Sequence, residues 1–216
     1  MSQFINKWNK PKGSSLGDSI KEAMKPTGPL KPRLEQAIRS IQIQIAKLEA
    51  VSSKLKDRDS KIFNKVVGSI TKHDMAHASI YANELAELRK MHKIVTQAKL
   101  ALEQIVLRLN TVQELGDIVV TLTPAMSVIK SVKSGLTSIL PEAEREISEI
   151  SGLLGSVLVD AGQIGGYTIN FEAANEDAEK ILNEASAIAE QRMKEKFPDL
   201  PTEIPEPPTA ESESLS

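Results

Sequence analysis

LEQAIRSIQIQIAKLEAVSSKL, residues 34–55, decides the fold. Leu34, Ile38, Ile41, Ile45, Leu48, Ser52 and Leu55 fall at spacings of 4, 3, 4, 3, 4 and 3, a heptad seam with one polar position. Only an α-helix gathers such positions on one face. Arg33, Arg39, Lys47, Lys54 and Lys56 stand off the seam, so the same helix carries an apolar stripe and a basic exterior.

Downstream, the polar run KDRDSK (56–61), with Asp59 or Ser60 as a cap, reads as the tip of a helical hairpin. After it, Ile62, Val66, Ile70, His73 and His77 lead into Leu85, Leu88, Met91, Val95, Ala98, Leu102, Ile105, Leu109 and Val112, and the first obvious breaker is Pro124. The second helix is therefore expected to run about 60 residues, roughly 90 Å at the helical rise. A first helix of about 24 residues cannot cover it, so its surplus apolar face must meet a later part of the chain or another molecule.

Ile129, Val132, Leu136 and Ile139 continue the seam, and Pro141 with its acidic followers marks a new helix start. Ile147, Ile150, Leu153, Leu154 and Leu158 give that helix an apolar face, GQIGGY (162–167) reads as a flexible joint, and an alanine-rich acidic helix follows from Glu172 to Lys196. With Ile181, Leu182 and Ile188 as its apolar face, this last helix is expected to dock weakly. From Pro198 the chain holds five prolines and ends in TAESESLS, which cannot form a packed core, so an extended, disordered tail is expected. At the other end, Phe4, Ile5 and Trp8 share a helical face edged by Lys7, Lys10 and Lys12, a pattern suited to anionic lipid headgroups. Leu16 to Met24 reads as a short helical piece, and the KPTGPLKP run at 25–32 separates it from the seam helix.

Charge is sorted along the chain. Residues 1–72 hold 15 Lys and Arg against 6 Asp and Glu, whereas residues 142–216 hold 5 against 17. A formal net charge of −2 thus conceals a basic front that seeks an anionic surface and an acidic back that either shields it or binds a basic partner. Aromatic residues make up 3%, too few for a large compact core but enough for helices packed along aliphatic seams. The architecture expected is all-α: an elongated helical hairpin with a long second helix, then shorter helices and a disordered proline-rich tail.

Chemistry finds little foothold. With no cysteine there is no disulfide, thiolate metal site or cysteine nucleophile. No run of about 18 apolar residues spans a membrane, and the start MSQFINKWNK lacks a signal-peptide core. His73 and His77 sit at i and i+4 around Asp74, a metal-compatible spacing without a third ligand, and read as packing or hairpin-contact residues; His92 reads as isolated and solvated. No phosphate loop, dinucleotide fingerprint or nucleophile arrangement is present, so neither enzyme activity, cofactor nor small-molecule substrate is expected. Nucleic acid is not expected either, because the basic front lacks aromatic interleaving and any major-groove module.

The segments KPRLEQAIRSIQIQIAKLE, KDRDSKIFNKVV and HASIYANELAELRKM, in this order of elements, resemble the CdvB proteins of the archaeal cell-division machinery, within the ESCRT-III superfamily, over about residues 30–197. The resemblance implies a membrane-remodelling polymer that switches between a closed form, with the acidic C-terminal part folded over the hairpin, and an open form that assembles with itself and with other CdvB-type subunits. It implies disassembly by a Vps4-type AAA ATPase, CdvC, whose MIT domain takes a proline-rich tail; here that element maps to Pro198, Leu200, Pro201, Ile204 and Pro205. The membrane-binding set is then Phe4, Ile5, Lys7, Trp8, Lys10, Arg33, Arg39, Lys47 and Lys54, on a cytoplasmic protein held peripherally at the inner face of the membrane at the division site. A winged-helix segment found at the end of the longer family members is missing before Ser216, so a short paralogue without direct CdvA contact is expected. The expected division of the chain is a membrane-binding terminus (1–29), a helical core (30–160), a linker (161–171), an acidic helix (172–197) and a tail (198–216). The rival reading from another class is a soluble coiled-coil adaptor that dimerises without touching lipid.

Overall fold

The computed structural model describes residues 30–112, 115–165 and 171–199, and every regular element among them is an α-helix. Five follow in order: α1 (Leu30–Thr71), α2 (Met75–Leu109), α3 (Leu115–Leu136), α4 (Pro141–Gly165) and α5 (Phe171–Lys196). α1 and α2 form a hairpin of 42 and 35 residues, and the later helices are shorter, at 22 to 26 residues. The all-α hairpin architecture read from the seam is therefore the one observed.

α1 begins at Leu30, with Pro32 in its first turn, where a missing N–H is harmless because the first amides of a helix have no internal acceptor. Leu34, Ala37, Ile41 and Leu48 are buried, with Ile38, Ile45 and Leu55 half-buried beside them. α1 packs on α2 and α4, and α5 packs on α2 and α3.

The hairpin tip lies at Lys72 to Asp74, not at residues 56–61. KDRDSK has neither glycine nor proline, and its polar side chains serve the interhelix contact: Asp59 meets Arg89 and Arg58 meets Glu84, at 2.8 and 2.7 Å. The true turn uses His73 at φ 58, in the left-handed region, and Asp74 as N-cap of α2, its carboxylate accepting the His77 N–H at 3.2 Å. The N–H groups of His73 and Asp74 donate to the carbonyls of Ile70 and Ser69, which closes the end of α1.

The 60-residue second helix resolves into two helices. α2 ends at Leu109, and Pro124, expected to stop the helix, lies inside α3. One backbone hydrogen bond is lost there, but Leu122, Ala125, Val128 and Ile129 are all buried and hold the helix together. With α1 the longer arm, the surplus apolar face of α2 meets α3 and α5 of the same chain.

Two cores result. The main one draws on all five helices, while a small second cluster of Ile62, Val66, Leu85 and Leu88 belongs to α1 and α2 alone. α5 reaches only as far as Phe197, which stacks beside Arg89 and His92, so toward the tip the hairpin arms cover each other.

Candidate functional site

Acidic α4 lies antiparallel along basic α1. Arg33 pairs with Asp160 and also reaches the Ser156 hydroxyl, while Lys47 Nζ meets Glu146 Oε1 at 2.5 Å. The two pairs are 14 residues apart on each helix, two heptads, which returns a helix to nearly the same face. Glu146 also accepts from the Gln44 amide, and these two hydrogen bonds, Lys47's the larger, hold its carboxyl below the usual carboxylate range. Gln44 itself is 3% exposed, and its Oε1 has no partner.

Of the four hairpin cations in the membrane-binding set, Arg33 and Lys47 are thus taken by α4, whereas Arg39 and Lys54 are exposed, Arg39 beside Glu35 at 3.9 Å. Phe4, Ile5, Lys7, Trp8 and Lys10 lie outside the described residues, as do Leu200, Pro201, Ile204 and Pro205; Pro198 is exposed.

α5 runs antiparallel to α2 through an alanine-rich face: Ala174, Ala178, Ile181, Ala185 and Ala189 are buried, Leu182 is half-buried and Ile188 is exposed. Lys93 to Glu190 at 3.7 Å and Gln104 to Glu184 at 3.1 Å flank it. At its end Phe197 is 7% exposed, with its ring 5.4 Å from the Arg89 guanidinium and edge-on to His92 at 4.9 Å. Arg89 also lies 5.9 Å from the Phe63 ring and is tied to Asp59, so one guanidinium joins both hairpin arms to the end of the acidic helix.

His92 is not solvated, contrary to its isolated place in the sequence. It is 4% exposed, with Ser52 Oγ 3.0 Å from Nε2, Met193 Sδ 3.0 Å from Nδ1 and Thr96 Oγ1 at 3.5 Å. Ser52, the polar position of the α1 seam, is therefore matched to a polar position on α2. Burial pushes the imidazole below the usual histidine range, and Lys196 adds to the shift against Asp59, Ser52 and Glu49. The only sequence signal for this cluster was the polar break in the seam. His77 is a surface residue at the tip, its Nδ1 2.7 Å from Asp74, and no group of three metal-holding side chains occurs among the described residues. A groove of about 560 Å³ between α3, α4 and α5 presents Lys130, Lys133 and the hydroxyls of Ser127, Ser148 and Ser151 on an apolar floor.

A long helical hairpin with one later acidic helix on its basic arm and another on its second arm defines an ESCRT-III-like helical protein. The chain is 42% identical over 173 residues to Cell division protein B1 of Sulfolobus acidocaldarius, which covers 80% of this chain and 81% of that protein. It is 34% identical over 175 residues to Cell division protein B of the same organism, covering 79% and 67%. The chain belongs to the CdvB family of cell division proteins. No protein-family model matches it, and no solved structure does.

Proposed function

We propose that the chain is an ESCRT-III-like filament subunit that constricts and severs membrane in archaeal cell division. The observation that carries this reading is the capture of Arg33 and Lys47 by Asp160 and Glu146 of α4. Cations neutralised in this way are shielded from an anionic surface, and release of α4 and α5 returns them to it, so the described form is the closed subunit. In the open subunit Phe4, Ile5 and Trp8 enter the bilayer, while Lys7, Lys10, Arg33, Arg39, Lys47 and Lys54 hold lipid phosphates. The bared helix faces then join copies of this chain and other CdvB-type subunits at the inner face of the cell membrane. The element from Pro198 to Pro205 is taken by the MIT domain of the Vps4-type ATPase CdvC, which dismantles the filament. No described helix is long and apolar enough to cross a membrane, and a peripheral role requires none.

Electron microscopy and flotation with anionic and neutral liposomes test this directly. Filaments on anionic vesicles, with binding weakened by Trp8→Glu, are expected. A chain that ignores both vesicle types and forms a closed dimer in solution would instead be the soluble adaptor.

A further inference from the structure

We propose that His92 is a protonation-sensitive clasp, holding the end of α5 on the hairpin while its imidazole is neutral and releasing it when the ring takes up a proton. The inference rests on the reading of α5 as a releasable arm.

The ring stands at the one point where both hairpin arms and the end of α5 converge: Ser52 from α1, His92 and Arg89 from α2, Met193 and Phe197 from α5. Its two nitrogens have different partners. Nδ1 lies against the Met193 sulfur and the Thr96 hydroxyl, and Nε2 against the Ser52 hydroxyl; a proton on Nδ1 aimed at the thioether, which accepts and does not donate, lets Nε2 accept from Ser52. Both nitrogens are satisfied in the neutral form.

A second proton, on Nε2, can be accepted on the Ser52 side, but the charge it brings finds no free counter-charge. The charged groups around the ring are Glu49 and Asp59 on α1, Arg89 on α2 and Lys196 on α5. Both carboxylates are already engaged, Glu49 by Lys99 and Asp59 by Arg89. An imidazolium would sit in a buried site with Lys196 beside it, in T-shaped contact with the Phe197 ring that Arg89 also faces. When α5 leaves, Met193, Lys196 and Phe197 go with it, and the ring regains water. Opening therefore takes up a proton. The sign follows from the depressed value in the closed form: the histidine's contribution to closure is complete above the ordinary value of 6.5 and is lost as pH falls below it toward the closed-state value.

The full chain has only three histidines, so their ring protons can be followed by NMR, and it has no cysteine, so two can be introduced for labels on the exposed Lys54 and Glu195 positions. His92 is expected to titrate below the ordinary histidine range, and Phe197→Ala to bring it back into that range. Between about pH 7.5 and about pH 5.5, a span that brackets ordinary histidine titration, the label distance should lengthen in the parent chain and stay short in His92→Gln, which is neutral throughout. A His92 that titrates normally in the parent chain, or an equal pH response in His92→Gln, overturns the clasp. Phe197→Ala separates the two ideas: an arm that opens in that variant at neutral pH yet ignores acid in the parent chain defeats the clasp alone. An arm that opens in neither case defeats the releasable arm as well.

Discussion

Arg89 on α2 holds Asp59 on α1 at 2.8 Å through Nε, and the Asp59 side chain is only 3% exposed. A buried carboxylate with a single cationic partner is a liability once that partner is missing, and the reverse applies to the guanidinium. Asp59→Ala is expected to cost about 3 kcal/mol in urea unfolding, and Arg89→Lys to recover little, because an ammonium lacks the forked donor. A loss under about 1 kcal/mol would put the pair in the class of exposed ion pairs.

Lys47 and Glu146 are a different case, with side chains 54% and 36% exposed, so the pair itself contributes only about 0.5 kcal/mol. Its role is register. Lys47→Glu should raise hydrogen exchange along α4 by setting like charges together, and Glu146→Lys on the same chain should restore protection. Because the Glu146 carboxyl is held below its ordinary 4.5, its contribution is present above that value and is lost as pH falls through the depressed one. Exchange in α4 should therefore change in a more acidic window than the one assigned to His92.

Gln44 leaves one buried oxygen without a partner at the α1–α4 contact. Gln44→Met removes that oxygen and keeps the volume, while Glu146 retains Lys47 and solvent. A gain of about 1 kcal/mol in thermal or urea unfolding is expected; a loss would mean that the amide bond to Glu146 outweighs the unpaired oxygen.

α4 carries glycine inside the helix, and a Cβ at Gly152 or Gly162 would meet nothing within 4 Å. Gly152→Ala and Gly162→Ala should each stabilise the helix by about 0.5–1 kcal/mol. The check is a rise in Tm of about 2–4 °C per kcal/mol for a chain of this size.

Much of this architecture can be read from single positions. The seam from Leu34 to Leu55 placed α1, Pro141 marked the start of α4, and the acidic alanine-rich stretch is α5 to within a residue of its start. The errors share a cause. Asp59 read as a helix cap and His92 as solvated because their partners come from another helix, and no spacing rule shows that Arg89 or Met193 stands opposite. Asp74 is a serviceable N-cap hidden between two histidines, and Pro124 is tolerated because burial outweighs one missing hydrogen bond. The cations of the site were legible as a basic face, but the carboxylates that meet Arg33 and Lys47 lie 127 and 99 residues away in sequence.

Beyond Phe197 the hairpin's own buried cluster is small, formed by Ile62, Val66, Leu85 and Leu88. These four buried side chains, with partly buried neighbours such as Phe63, Ile70, Tyr81 and Met91, hold two helices there without help from α3, α4 or α5, which makes the tip a cantilever with its own local stability. Its amides should exchange through openings that leave the main core intact, and faster than those near Ile41 or Ile105. The tip can then bend or fray against whatever it touches without loosening the body, and the slot filled by Phe197 marks where that independence begins.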